Sequence, residues 1–159
     1  MPHLQPNQES VWDYPRPPRL EATPKRIQVR LGNLLIADTT QAYRVLETSH
    51  PPVYYVPQAD IRMDLLEPTS GHSFCEWKGS ASYWTLRANG QVLPNIAWSY
   101  PQPSARFEAL AGYLAFYLDP LEGFVDGEKA HPQAGGFYGG WITQDLVGPF
   151  KGGGGTKGW

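Results

Sequence analysis

The chain has 159 residues, a length typical of one domain, and its 41% hydrophobic and 18% charged residues exclude an intrinsically disordered protein. The formal net charge of -2, with both signs mixed, gives no electrostatic footprint for nucleic acid or an anionic membrane surface. No apolar run is long enough to span a bilayer, no secretion signal is visible, and one cysteine excludes an internal disulfide. We therefore expect a cytoplasmic protein that binds neither nucleic acid nor membranes.

Residues 1–24 are polar and proline-rich, and we predict that they form an N-terminal arm. The segment VWDYPRPP carries Trp12 and Tyr14, two large aromatic side chains that a free tail rarely needs. Its three prolines hold the backbone extended. We expect an ordered arm on the domain surface, with a mobile tail left open for the first ten residues.

Residues 25–125 are predicted to form the core, mostly from antiparallel strands. In the segment IQVRLGNLLIAD, Ile27, Val29 and Leu31 alternate with polar residues, Gly32 and Asn33 form a two-residue turn, and LLIAD returns as the second strand of a β-hairpin. Single strands are predicted for YRVLET and VYYVP, and a second hairpin for SASYWTLRANGQVLPNIAWSY. Strands joined in this way favour antiparallel sheets, so the fold class is mainly β.

One α-helix is predicted late in the core. Apolar residues recur at i, i+3, i+4 and i+7 in SARFEALAGYLAFYL, and Ser104 can cap the first turn. The pattern predicts one C-terminal amphipathic helix packed on a sheet.

Residues 126–159 are rich in glycine yet carry large aromatic side chains at Phe137, Tyr138, Trp141, Phe150 and Trp159. A flexible linker would not carry these residues. We predict a C-terminal arm that packs either on the open edge of its own domain or on a second subunit. The second alternative would make the protein a homodimer through its terminal arms.

The segment HSFCEWKG concentrates reactive residue types. A catalytic cysteine needs a nearby base, but His72 and Cys75 are three residues apart and would point to opposite faces of a strand. His50 could supply a base to Cys75 from another strand, and the alternative is that Cys75 is a small buried apolar residue. Lys78 precedes a turn glycine and either belongs to the turn or reaches an anionic group.

The segment SHPPVYYVPQADIRMD is the stronger site candidate. Two prolines stiffen the turn after His50. A histidine held on a stiff turn is suited to the role of a general acid or base. Read as a strand, ADIRMD places Asp60, Arg62 and Asp64 on one face. This face is either a solvated row of ion pairs or one wall of a polar pocket, in which Arg62 would bind a carboxylate or phosphate.

Aromatic residues are concentrated on the predicted strands. Tyr55, Trp84, Trp98 and Tyr100 form either ordinary core or the walls of a cage for a cationic or flat ligand. The four histidines are scattered and there is only one thiol, so we predict no zinc site and no cofactor.

The segments VWDYPRPP, RVLETSHPPVYYVPQADIRMDLLEP, CEWKGSASYW and AWSYPQP, in this order, resemble the family catalogued as domain of unknown function 427. The resemblance covers about Val11 to Phe124 and implies a β-tent fold, in which two antiparallel sheets meet at an angle. The family is sometimes labelled nucleotidyltransferase-like, but such enzymes show a Gly-Ser element ahead of an Asp-x-Asp pair, which DIRMD lacks. Zinc-binding cysteine pairs, found in other β-tent proteins, are also missing.

These observations predict a small-molecule pocket between the sheets, for an anionic or flat ligand. The pocket belongs either to an enzyme that uses His50, or to a non-catalytic protein that binds a ligand or peptide in an aromatic cage. The alternative function is a peptide or protein interaction module that uses the aromatic arms.

Overall fold

The computed structural model describes residues 4–75, 77–134, 138–152 and 155–156, and its regular structure is mainly β, arranged in several antiparallel sheets. The largest sheet has the strand order β10-β9-β8-β7. These strands are β7 (Leu66–Cys75), β8 (Gly79–Ala88), β9 (Gln91–Ser99) and β10 (Leu114–Phe116). The predicted hairpin with an Asn-Gly turn is confirmed as β8 and β9, with positive φ at Asn89 and Gly90.

A second four-stranded antiparallel sheet has the order β12-β11-β3-β4. Its strands are β3 (Ile27–Leu31), β4 (Leu34–Thr39), β11 (Glu122–Val125) and β12 (Glu128–Lys129). The hairpin predicted from IQVRLGNLLIAD is confirmed as β3 and β4. The apolar side chains of β3 that alternate with polar ones are buried in the main core, as the period of two requires.

A three-stranded antiparallel sheet, in the order β2-β5-β6, completes the core. Its strands are β2 (Arg19–Thr23), β5 (Ala42–Leu46) and β6 (Val53–Tyr55). Val56, just after β6, exchanges backbone hydrogen bonds of 2.8 and 2.9 Å with Leu114 of β10. This contact joins the three-stranded sheet to the sheet that contains β7 to β10.

The predicted C-terminal α-helix is wrong. The segment forms a 3-10 helix at Ala105–Leu110 and then β10. Phe107 has non-helical dihedral angles, and Gly112, at φ 77°, reverses the chain through a conformation that favours glycine. All three residues of β10 are buried. A short apolar run of this kind is compatible with a buried strand as well as with a helix. The Ser104 side chain does not cap a helix but donates a 2.6 Å hydrogen bond to the carbonyl of Trp77.

The two terminal arms pair with each other. Strand β1 (Glu9–Ser10) is parallel to β15 (Leu146–Val147), and β13 (His131–Pro132) pairs with β14 (Trp141–Ile142). Short 3-10 helices lie at Val11–Asp13, Gln58–Asp60 and Met63–Leu65. Of the aromatic residues predicted to hold the C-terminal arm, Phe137 and Trp159 lie outside the described residues.

A largely buried arginine binds the N-terminal arm to strand β5. Arg44 of β5 donates hydrogen bonds to Glu9 at 3.1 and 3.2 Å and to Glu21 at 2.8 Å. Tyr14 donates a 2.6 Å hydrogen bond to Glu9. Burial raises the pKa of Glu9, but the hydrogen bonds from Arg44 and Tyr14 outweigh it and lower the pKa below its ordinary value. Glu9 is therefore ionised and bound to Arg44 at neutral pH.

We expect Arg44→Leu to lower the free energy of unfolding by about 2 kcal/mol, because it leaves two partly buried carboxylates without their cation. The matched control is Arg62→Leu, which removes an exposed pair with Asp64 and should cost less than about 1 kcal/mol. Urea unfolding at neutral pH measures both changes. Equal losses of unfolding free energy in the two variants would contradict the interpretation that Arg44 stabilises the contact between the N-terminal arm and β5.

No helix in the described parts of the chain has the length and apolar character needed to cross a membrane.

Candidate functional site

A cavity of about 320 Å³ lies between the three-stranded sheet and the face of the β7–β10 sheet. Its volume is at the lower end of the range for small-molecule sites. Strands β5 and β6 and the turn between them contribute one wall, and β7, β8, β9 and the β7–β8 hairpin contribute the opposite wall. The remaining wall comes from Gln133, Tyr138, Gly139 and Lys151 in the C-terminal arm.

The cavity walls are predominantly aromatic. The rings of Trp98 and Tyr117 are 4.5 Å apart, and Tyr55 lies 6.3 Å from both Trp98 and Tyr100. The Trp98 indole donates a 3.3 Å hydrogen bond to the Tyr55 hydroxyl. Burial raises the pKa of Tyr117 to about 12 and raises those of Tyr55 and Tyr100 further. These three phenols are therefore neutral at physiological pH and add no negative charge to the walls.

Two lysines bring positive charge to this cavity. The Nζ atom of Lys78 lies 5.7 Å from the centroid of the Tyr100 ring and 6.0 Å from that of Phe107. Lys78 has no carboxylate partner among the described residues. The Nζ atom of Lys151 lies 5.6 Å from the centroid of the Tyr138 ring. Both ammonium groups therefore lie beside aromatic rings at the cavity wall.

Backbone contacts hold both lysines in place. The carbonyl of Lys78 accepts a 3.0 Å hydrogen bond from the Ser104 N–H, and the Ser104 hydroxyl holds the adjacent Trp77 carbonyl. The N–H of Lys151 donates to the Ser49 carbonyl at 2.8 Å, and its own carbonyl accepts a 2.6 Å hydrogen bond from the Gln133 amide. These hydrogen bonds fix the backbone from which each lysine side chain extends.

His50 is neutral, and its contact with Gln133 determines which ring nitrogen carries the proton. Burial, followed by the positive charges of Lys151, Arg16 and Lys78, lowers its pKa to about 4. Nδ1 lies 3.1 Å from the side-chain nitrogen of Gln133, which can only donate. Nδ1 is therefore the acceptor, and the single proton of the neutral ring is on Nε2. A ring in this state has no free lone pair with which to act as a base toward a ligand.

Cys75 lies at the end of β7 and lines the cavity as a free thiol. It forms no hydrogen bond with His50 or with another side chain in the described parts of the chain. His72 is exposed and is not among the residues that line the cavity. His72 and Cys75 therefore do not share the cavity wall.

The comparisons with known proteins identify a family but no activity. A family model described as Domain of unknown function (DUF427), with the label NTP_transf_9, matches residues 19–127. The chain belongs to the DUF427 family. No curated protein matches the chain significantly.

The label NTP_transf_9 names a transferase, but the described residues of the cavity wall do not include the metal ligands of a metal-dependent one. Such enzymes hold their metal ions through carboxylates. Glu47 is the only acidic side chain among the described residues that line the cavity. Within the described ranges, no group of three or more His, Cys, Asp or Glu side chains could hold a metal ion.

The structure brings most of the predicted site residues together, although their roles stay predictions. The residues that line the cavity are His50, Tyr55, Cys75, Lys78, Trp98 and Tyr100. Trp84 does not line it, because Tyr83 is the β8 residue paired with Trp98 and successive strand residues point to opposite faces. The Trp84 indole instead donates a 3.0 Å hydrogen bond to Ser99.

The alternative in which Asp60 and Arg62 form one wall of the pocket that contains His50 is wrong. The segment from Gln58 to Leu65 contains two 3-10 helices, so the strand alternation from which the shared face was predicted is absent. Asp60 accepts a 2.7 Å hydrogen bond from Thr39. Arg62 forms an exposed ion pair of 2.8 Å with Asp64. Neither Asp60 nor Arg62 is among the described residues of the cavity wall.

Sequence reasoning missed the part of the site that follows the DUF427 match. Gln133, Tyr138 and Lys151 were not selected because their residue types recur throughout the chain. A signal was present in the Gly-Gly pair before Trp141. A Cβ atom at Gly139 would overlap the Trp98 ring, and one at Gly140 would lie 2.6 Å from Pro51. These close approaches require glycine and mark where the arm meets the cavity.

Proposed function

We propose that the cavity binds a small, flat, anionic molecule, such as an aromatic carboxylate or phosphate ester. The proposal rests on Lys78. This cation lies on the wall of an aromatic cavity, and it has no carboxylate partner among the described residues. An anionic group on the ligand would supply the missing partner. The ligand's ring would stack on the neutral aromatic walls, where edge and face contacts are favourable.

The charge of the cavity favours an anion over a cation. Lys78 and Lys151 contribute two positive charges, His50 is neutral, and Glu47 is the one acidic residue of the described wall. Arg16 lies 3.7 Å from Glu47 and offsets much of its negative charge. A cationic ligand would compete with both lysines for the same aromatic faces.

The state of the titratable groups supports ligand binding without catalysis. A general base needs an unprotonated nitrogen within reach of its substrate, and a cysteine nucleophile needs a base or cation that lowers its pKa. His50 uses Nδ1 to accept from Gln133, and Cys75 has no hydrogen-bonded partner in the described part of the chain. We therefore favour a protein that binds or carries a small molecule over an enzyme.

The interaction module built from the aromatic arms is less well supported. Val11 and Tyr14 are buried within the chain, and the Trp12 indole donates a 2.8 Å hydrogen bond to the carbonyl of Pro149. The N-terminal arm thus uses its aromatic side chains on its own chain. A homodimer through the arms would have to exchange the β1–β15 pair between subunits.

We also propose a β-tent arrangement of the sheets and a cytoplasmic location. A β-tent arrangement is supported by the Val56–Leu114 contact, at which the three-stranded sheet meets β10. A reducing compartment such as the cytoplasm is supported by the single cysteine, which is a free thiol.

The proposal predicts that 2-naphthoate binds at least about tenfold more tightly than 2-naphthamide, its neutral counterpart, because a charge-assisted hydrogen bond contributes about 1.5–3 kcal/mol. Lys78→Gln should weaken naphthoate binding by about tenfold and leave naphthamide binding unchanged. Lys129→Gln, which alters the exposed Lys129–Glu122 pair, is the matched control. Isothermal titration calorimetry measures each affinity. Equal affinities of the acid and the amide, or no binding of either, would contradict the proposal.

A further inference from the structure

One wall of the cavity carries a hydrogen-bond donor and an acceptor that do not satisfy each other. The Nε2 atom of His50 lies 3.7 Å from the Oε2 atom of Glu47. This distance exceeds that of an N–H···O hydrogen bond, whose usual limit is about 3.2 Å. Both residues line the cavity.

Gln133 determines that His50 presents a donor here. The Oε1 atom of Gln133 accepts a 3.2 Å hydrogen bond from the N–H of Gly140, and its Nε2 donates a 2.6 Å bond to the carbonyl of Lys151. These two backbone groups have fixed and opposite polarity, so the amide has only one orientation that satisfies both. In that orientation the Gln133 nitrogen faces His50 Nδ1, and the histidine proton is on Nε2, toward Glu47.

Glu47 is an acceptor with unused capacity. Its Oε2 atom lies 3.7 Å from the Arg16 guanidinium and 3.7 Å from the neutral ring of His50, and both distances are longer than a hydrogen bond. No hydrogen bond to its carboxylate is formed within the described ranges. The wall therefore presents an N–H donor and a carboxylate acceptor side by side.

We propose that the ligand carries a hydroxyl group in addition to its anionic group, which makes it a hydroxylated aromatic acid. This inference rests on the proposed function of the cavity. A hydroxyl oxygen accepts from the N–H of His50 and donates its hydrogen to Glu47, so one group satisfies both partners. An ether or carbonyl oxygen only accepts, and it would face the Glu47 carboxylate without a hydrogen to offer.

The hydroxyl determines specificity because its absence leaves polar groups unsatisfied in the bound state. A ligand of the same shape without the hydroxyl excludes water from His50 and Glu47 and replaces none of its hydrogen bonds. Sites built to hydrogen-bond a substrate hydroxyl discriminate strongly against analogues that lack it. Glu47 and His50 are therefore the specificity-determining residues, and Gln133 is the residue that positions His50.

The test compares 2-naphthoate with its monohydroxylated isomers and their methyl ethers by calorimetry. At least one hydroxy isomer should bind about tenfold more tightly than 2-naphthoate, and its methyl ether should lose that advantage. In Glu47→Ala the advantage of the hydroxy isomer should fall to about twofold or less. The control Glu67→Ala, which removes an exposed carboxylate paired with Arg87, should keep it. If 2-naphthoate binds but no isomer is preferred, or if the preference survives in Glu47→Ala, the inference is overturned while the proposed function stands. If no naphthoate binds, both are overturned.

The role of Gln133 has a spectroscopic signature that a purely structural role would not change. In ¹⁵N NMR spectra of the free protein, the proton of the neutral His50 ring should be on Nε2. Gln133→Glu should move it to Nδ1, because a carboxylate accepts where the amide donated, and should remove the preference for the hydroxy isomer while 2-naphthoate still binds. A wild-type ring protonated on Nδ1 would overturn the assignment, whether or not the variant folds.

Discussion

Replacing Trp141 with alanine is expected to lower the free energy of unfolding by about 3–5 kcal/mol. Trp141, on β14, is 2% exposed and packs in the main core, with its ring 5.4 Å from that of Tyr54. Its indole N–H donates a 3.2 Å hydrogen bond to the carbonyl of Phe116. Alanine would leave a large cavity and an unsatisfied carbonyl beside it.

The control for this variant is Trp12→Ala. Trp12 is 41% exposed, and its indole also donates one hydrogen bond to a backbone carbonyl, that of Pro149. Its removal should cost about 1–2 kcal/mol, for the lost hydrogen bond and the smaller apolar area that it buries. Urea unfolding of both variants separates the two values. Losses of similar size would show that the C-terminal arm is not part of the core.

The protein is expected to lose about 3 kcal/mol of stability between pH 6.5 and pH 4 through His50. Burial, and then the charges of Lys151, Arg16 and Lys78, lower the folded-state pKa of His50 from its ordinary value of 6.5 to about 4. Between these two values the unfolded chain binds a proton that the folded chain does not, so acidification favours unfolding. The contribution is complete above pH 6.5 and is lost as the pH falls to about 4.

Urea unfolding at several pH values measures this dependence, and His50→Gln is the control because its side chain does not titrate. The variant should show a shallower loss of stability over the same range. Carboxylates whose pKa is lowered in the folded state, such as Glu9 and Asp38, lose their contribution below their ordinary values of 4.5 and 3.8. They do so in both proteins, so the difference between wild type and variant isolates the contribution of His50. A variant with the same pH dependence as the wild type would mean that His50 is not buried as a neutral ring.

The strands could be predicted where the chain alternates between two environments. Ile27, Val29 and Leu31 face the core at every second position, and Tyr54 and Tyr55 enter different core clusters, as a period of two requires. The helix could not be excluded, because β10 is buried on both faces and an apolar run of that kind fits either period. Pairing with β9 decided the outcome, and this long-range contact leaves no local signal.

The cavity could be predicted in part. His50 and Lys78 were found because a stiff turn and a hairpin tip mark positions where side chains are presented. Arg62 was assigned to the site from an alternation that required a strand, and the backbone forms 3-10 helices there. Gln133 and Lys151 belong to the arm, whose contact with the cavity depends on glycines at positions of close approach and not on any periodicity.

The most direct test of the central claim is a crystal structure of the protein with 6-bromo-2-naphthoate, in which anomalous scattering locates the bromine atom. The account predicts a bromine peak inside the cavity between the sheets and a carboxylate at about 2.7–2.9 Å from the Nζ atom of Lys78 or Lys151. A cavity without the ligand under conditions where calorimetry shows binding, with the bromine peak elsewhere on the protein, would contradict it.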